Sequence, residues 1–415
     1  MSEKKNTGKK AVIAVIVIAL IVVIIALVAV ISGKSKKGGS KSATEAGSET
    51  MRSGQFDIDY AKQVTKLADY SGVAITVSND YEINDTAKQT YLTNVLQSYG
   101  ADAYKQVTDR DTVADGDYVK VDYTGYKDGK AFDGGSATDV MLDVTNNSQV
   151  GGSSFIDGFT KPIIGAKVGD KVKGDVTFPE DYGNDDLNGQ TVTFEYTVKG
   201  IYSADPVALA DMTDEQVNTV FGKAGVTTNA QLTTQIEKDL KQQLYSAEVD
   251  KIKSYMIENS TVEIPDEYLQ ARLNEYIASF TKENVKDGQT LKKYLKSNYN
   301  MTVDQATEKW KENLTDQIKT EFIFGLIAEK ENIKMDDDAF NSYVDYIVSA
   351  SNGQFSKASE VYKYFGSGHK DEGKTYLKNQ YLVNKAIDTV TEKANVTFED
   401  GSAAPDTSSG SADAE

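Results

Sequence analysis

Aromatic side chains concentrate in three short segments, residues 121–133, 155–159 and 178–183, each reading as a strand or turn that ends in aromatics. Together they lay out an aromatic pocket without a nucleophile. The chain has no cysteine, and its single histidine, His369, lies in a Gly-rich loop between predicted helices. Thiolate chemistry is therefore excluded, and a histidine dyad or a histidine metal site has almost no material. Glu180 and Asp181 are adjacent in a turn and face different ways, which disfavours paired-carboxylate hydrolysis. What such residues can do is hold an apolar ring and strip water from a polar group beside it. The same aromatics also suit the core of a small antiparallel sheet, whose strands need apolar residues at alternating positions.

The order and spacing of these segments resemble the FKBP-type peptidyl-prolyl isomerases over residues 112–202. The quoted motifs are Val-Asp-Tyr-Thr-Gly-Tyr-Lys-Asp-Gly-Lys-Ala-Phe-Asp, Phe-Ile-Asp-Gly-Phe and Phe-Pro-Glu-Asp-Tyr-Gly. The resemblance implies a pocket lined by Tyr123, Phe132, Phe155, Ile156, Phe159, Tyr182 and Phe194, with Val140 contacting substrate. It further implies that Asp133 is the pocket's buried polar member and that the Ile156 N–H holds the substrate carbonyl. Phe159 stands where archetypal members place tryptophan, and Val140 where they often have phenylalanine. The chemistry suits such a cup. Turning an Xaa-Pro bond means twisting an amide with a barrier of about 18–20 kcal/mol, between ground states about 0.5–1 kcal/mol apart. A dry aromatic cup favours the twisted amide, which has lost conjugation and part of its charge separation. No cofactor and no metal are expected.

A chain of 415 residues should hold two or three domains. Its formal net charge of -18, with no long basic stripe outside the N-terminal flanks, excludes nucleic acid as an expected partner. Residues 11–31 are an unbroken apolar run that as a helix reaches roughly 31 Å, enough to cross a hydrocarbon core. With a basic tail over residues 1–10 before it and a large body after it, this run predicts a transmembrane signal anchor, the rival being a cleaved signal peptide. The body is then expected to be extracytoplasmic on a single-pass cell-membrane protein. Residues 32–54 read as a flexible linker. Residues 55–111 predict a strand over 67–77 and a helix over 85–98. Residues 399–415 are Ser-, Ala-, Gly- and Asp-rich without a basic residue, and predict a disordered acidic tail.

From residue 203 to 398 long helical patterns dominate. The spacing predicts helices over 213–221, 229–258, 266–281, 291–297, 303–331, 337–350, 357–365 and 371–393. Thr228 and Thr302 suit N-caps, Asp337 can cap the helix it opens, and Pro265 sits at a first turn. The segments Asp-Met-Thr-Asp-Glu-Gln-Val from Asp211, Val-Glu-Ile-Pro-Asp-Glu-Tyr-Leu from Val262 and the helix around Phe322 resemble the helical C-terminal domain of trigger factor. In that family an FKBP-type domain precedes this domain, as here. The Gly-Phe-Arg-x-Gly loop with which the family docks on ribosomes does not occur in the sequence, so the ribosome is not an expected partner.

The expected fold class is α+β: an N-terminal transmembrane helix, an FKBP-like antiparallel sheet wrapped on a short helix, then an all-α chaperone domain with extended arms. The resemblance implies a membrane-tethered isomerase and chaperone. Its partners would be unfolded or newly exported polypeptides with Xaa-Pro bonds, and the lipid bilayer through residues 11–31. The alternative is a non-catalytic holdase that uses the FKBP-like domain as a binding module. Client contact is expected at tyrosines of the helical half: Tyr294, Tyr299, Tyr343, Tyr346, Tyr362 and Tyr364.

Overall fold

A computed structural model describes residues 51–96, 104–286 and 288–407. Its strands, in chain order, are β1 Val64–Lys66, β2 Ala74–Val77, β3 Tyr104–Gln106, β4 Tyr118–Lys127, β5 Lys130–Asp143, β6 Ser148–Gln149, β7 Lys171–Thr177, β8 Thr191–Pro206, β9 Thr261–Val262 and β10 Asn395–Phe398. The helices are α1 Tyr60–Gln63, α2 Asp85–Leu96, α3 Asp214–Phe221, α4 Asn229–Asn259, α5 Asp266–Asn284, α6 Leu291–Tyr299, α7 Val303–Lys330, α8 Asp337–Ala350, α9 Ala358–Phe365 and α10 Lys370–Glu392. Two compact units result. One spans residues 83–240, and the other combines the described residues up to Glu82 with those from Lys241 onward.

The first unit is built on an antiparallel sheet in the order β3-β8-β4-β5-β6, with β7 also pairing β8. β4 and β5 form a hairpin closed by Asp128 and Gly129, both at positive φ. That is the geometry the tight two-residue hairpin loop requires and Asp-Gly supplies. Along β8, Val192, Phe194, Tyr196 and Val198 alternate onto the buried face, where they meet Val119 and Val121 of β4 and Leu142 of β5. A second cluster joins Leu92 and Leu96 of α2 to Val217, Val220 and Phe221 of α3 and to Leu232 and Ile236 of α4.

The second unit is centred on α7. Its C-terminal half, Ile318, Phe322, Ile323, Phe324, Leu326 and Ile327, is buried on nearly every side, as expected of a helix apolar all round. It packs against Val383, Ala386, Ile387 and Val390 of α10 and Tyr245, Val249 and Ile252 of α4. Inside this core the Arg272 guanidinium forks onto Glu321 at 2.8 and 3.1 Å and donates to the Tyr268 hydroxyl at 2.9 Å. Gln317 at 3.0 Å and the Tyr376 hydroxyl at 3.4 Å also donate to the carboxylate. Burial opposes the charge on Arg272, yet Glu321, Tyr268 and Tyr376 together outweigh it and hold the guanidinium protonated.

Thr302 caps α7 in a reciprocal capping box with Gln305, and Thr228 accepts from the Gln231 N–H at the start of α4. Several local expectations are corrected. The α8 cap is Asp336, whose carboxylate accepts from the N–H groups of Asp338 and Ala339, and Asp337 is already inside the helix. Of the strand expected over 67–77 only β2 forms, after a turn at Ser71 and Gly72, and it runs parallel to β10; β1, which precedes that span, pairs antiparallel with β9 in a separate sheet. Of the tail, residues 399–407 are ordered: Phe398 and Ala404 form main-chain hydrogen bonds across the turn, and Thr407 donates to Glu248 at 2.6 Å. The fold class is corrected too. The described architecture is α+β without the expected transmembrane element, since no helix among the described residues is long and apolar enough to cross a membrane. Residues 11–31, on which that expectation and the bilayer contact fell, lie outside the described residues.

Candidate functional site

Phe159 is the hub of an aromatic cluster in the first unit. It is 2% exposed, with Tyr123, Phe194 and Tyr196 edge-on at 5.0, 4.9 and 5.4 Å between ring centroids. Phe155 lies flat against it, 4.2 Å away and 12° from parallel. The sheet supplies three of these rings by register, since Tyr123 of β4 pairs with Tyr196 of β8 and Gly125 with Phe194. Phe159 itself comes from the irregular chain between β6 and β7. Tyr196 anchors it, donating its hydroxyl to the Phe159 carbonyl at 2.6 Å.

Phe132 of β5 forms the next wall, edge-on to Phe194 at 5.9 Å and to Phe178 at 6.2 Å. Its ring lies between Gly125 and Gly135. A Cβ at either position would come within 2.6 Å of that ring, so only glycine admits it. Tyr182, 48% exposed, packs on Phe178 at 4.5 Å and forms the rim. Val140 and Ile156 are half-buried and pack against the same core. The structure therefore brings Tyr123, Phe132, Phe155, Phe159, Tyr182 and Phe194 into one connected aromatic group. Asp133 departs from expectation: it is exposed, not the buried polar member. Successive side chains on a strand point to opposite faces, so burying Phe132 turns Asp133 outward.

Three residues that sequence reasoning passed over complete the site. Phe178 stood inside a quoted motif, and Tyr196 was legible from the alternation along β8. Asn147 had no such signal. Its side-chain amide donates to the carbonyls of Phe155 at 3.1 Å and Ile156 at 2.9 Å, while its oxygen accepts from the Thr160 N–H at 2.9 Å. Its carbonyl accepts from the Phe155 N–H at 2.9 Å. It holds φ at 50°, a left-handed conformation asparagine tolerates. One side chain thus ties down both ends of the loop that presents Phe155, Ile156 and Phe159.

Burial, with a smaller contribution from Tyr182, pushes the Tyr123 phenol up, and burial followed by Tyr123 does the same to Tyr196. Both stay neutral near pH 7, so the cluster offers shape and apolar surface without acid–base chemistry.

In the second unit a cleft of about 150 Å³ is lined by Tyr276, Phe280, Leu314, Tyr364 and Phe365, with Glu283 at its edge accepting from the Tyr364 hydroxyl at 2.9 Å. Among the tyrosines expected to meet clients, Tyr299 is exposed at 42%, Tyr294 and Tyr362 are buried, and Tyr343, Tyr346 and Tyr364 are half-buried. Most of that tyrosine surface therefore packs helix against helix. Trp310 does so as well, against Tyr276 and Phe280.

The sheet and its aromatic cluster lie in the part of the chain that is similar to the FKBP class. The family model described as FKBP-type peptidyl-prolyl cis-trans isomerase matches residues 110–199, and that of the bacterial trigger factor protein C-terminus matches residues 227–392. The chain carries both domains in that order and is a trigger factor-like protein.

It is 28% identical over 330 residues to the trigger factor of Agathobacter rectalis, covering 79% of this chain and 69% of that one. To the trigger factor of Clostridium botulinum strain Eklund 17B it is 29% identical over 276 residues, 66% of this chain and 62% of the relative. To that of Acetivibrio thermocellus it is 26% identical, over 81% of this chain and 74% of the relative. A solved structure titled for promiscuous substrate recognition by the trigger factor chaperone aligns with a TM-score of 0.42 at 18% identity, over 79% of this chain and 72% of that one. That likeness is too loose to bear on the fold. The expected single-pass, extracytoplasmic placement at the cell membrane is corrected here: the relatives are trigger factors, and no helix among the described residues can cross a membrane.

Proposed function

We propose that the chain is a peptidyl-prolyl cis-trans isomerase joined to a chaperone module. In this reading the cluster around Phe159 receives the proline ring, Tyr123, Phe132 and Phe194 wall it, Tyr182 and Val140 line the approach, and the Ile156 N–H holds the substrate carbonyl. Catalysis comes from a dry, shaped surface that accepts the twisted amide better than the planar one. The observation that carries the reading is the convergence of aromatics from β4, β5, β8 and the loop before β7 on one buried floor, with the Tyr123 and Tyr196 phenols neutral.

The helical unit binds unfolded polypeptide, and its cleft beside Phe280 and Tyr364, with aromatic walls among polar ones, supports this. Clients held there bring their prolines to a raised local concentration at the isomerase domain. The test pairs two assays on the full chain. Isomerisation of an Xaa-Pro peptide should be accelerated and should fall sharply in Phe132→Ala, and aggregation of an unfolded client should be suppressed in both proteins. Cosedimentation tests the expectation of no ribosome contact, with the chain staying in the supernatant.

A second reading, a non-catalytic holdase using the FKBP-like domain as a binding wedge, is favoured by the outward Asp133 and by Phe155 resting on the floor. Client protection with no acceleration on several Xaa-Pro peptides would establish it in place of the first.

A further inference from the structure

We infer that Phe155 is a displaceable cover over the proline-binding floor, and that its ring, by occupying the site in the free protein, sets the affinity for substrate. The inference rests on the isomerase reading above. Phe159 is almost wholly buried with four rings against it, so a proline ring packs on its ring where one of those four gives way. Phe194 and Tyr196 are 4% and 1% exposed on β8, which is hydrogen-bonded on both sides, and Tyr123 is on β4, which is likewise paired on both sides. Phe155 and Tyr123 are half-buried, and of the four Phe155 alone lies outside the sheet. Its stack is also the only parallel one, covering the flat face that a proline ring would pack on.

Its backbone cannot follow the ring. Asn147 accepts from the Phe155 N–H and donates to the Phe155 carbonyl, so the movement available is rotation of the side chain. Side-chain rotation is fast compared with amide isomerisation, hence the cover is an equilibrium between closed and open rotamers. Substrate binds the open one, and apparent affinity is reduced by the fraction of molecules that are open. An aromatic stack of this kind corresponds to about a two- to tenfold bias.

The experiment uses the full chain and the variants Phe155→Val, Phe155→Ala and Phe155→Leu. The last keeps apolar volume while losing the flat stack, and carries the test should the smaller residues unfold. Calorimetric binding of an Xaa-Pro tetrapeptide and NMR exchange kinetics on the same peptide are measured, with thermal unfolding as the check on fold. Kd and KM should both fall by about two- to tenfold, raising kcat/KM. Weaker binding in the folded variants would make Phe155 an ordinary substrate contact, and unchanged affinity would make it a bystander; either result overturns the inference while leaving the isomerase reading intact. If wild type and variants all fail to bind or isomerise the peptide, that reading falls and the cover falls with it.

Discussion

Tyr196 donates its hydroxyl to the main-chain carbonyl of Phe159 at 2.6 Å while its ring lies edge-on to the Phe159 ring at 5.4 Å. One strand residue therefore fixes both the backbone and the side chain of the floor. In Tyr196→Phe the ring contact survives and a buried carbonyl loses its donor, at a cost of about 1–3 kcal/mol. Urea unfolding should show that loss, and KM for an Xaa-Pro peptide should rise as the floor loosens.

Asn147 should matter more than its exposed-looking turn suggests. Asn147→Asp keeps an acceptor for Thr160 and tolerance of the left-handed backbone, but replaces the amide donor facing the Phe155 and Ile156 carbonyls with a carboxylate oxygen. Isomerase activity is expected to drop at least tenfold, with a stability loss of about 1–3 kcal/mol. Activity equal to wild type would remove Asn147 from the site.

The Arg272–Glu321 pair in the helical unit lends itself to a double-mutant cycle. Removing either partner, in Arg272→Met or Glu321→Leu, strands a buried charge and should cost about 3–5 kcal/mol. Replacing both should restore most of that stability, because an apolar pair carries no desolvation penalty. Chemical denaturation of the single and double variants provides the measurement.

Asp388 gives a signed pH effect. Burial pushes its carboxyl above the ordinary value of 3.8, against the opposing influence of the Tyr245 hydrogen bond and of Lys385 and Lys253. The unfolded chain therefore ionises first, and between the two values the folded protein holds the additional proton. Stability contributed at this position is greatest at low pH and declines as pH rises through that window. Asp388→Asn cannot ionise, so its stability relative to wild type should improve from pH 4 toward pH 7 in urea titrations. A constant difference across that range would contradict the assignment.

Much of the architecture was legible locally. The helices announced themselves by 3.6-residue periodicity and by caps such as Thr302 with Gln305. The aromatic motifs pointed to the site because their residue types recur in a fixed order. These features depend on neighbours a few residues away, which is the range over which a linear pattern carries information.

Tertiary structure decided the rest. Whether Asp133 enters the pocket depends on which face of β5 the sheet buries, and Phe132 wedged between Gly125 and Gly135 takes that face. The strand expected over 67–77 shortened to β2, the part that found a partner in β10 far along the chain. Arg272 and Glu321 are 49 residues apart, and nothing in either helix pattern marks them as a pair. Phe155 on Phe159, and Asn147 beneath them, emerge only once the loop closes on itself. Contacts of this range are set by packing and mutual hydrogen-bond satisfaction, which no single segment of sequence contains.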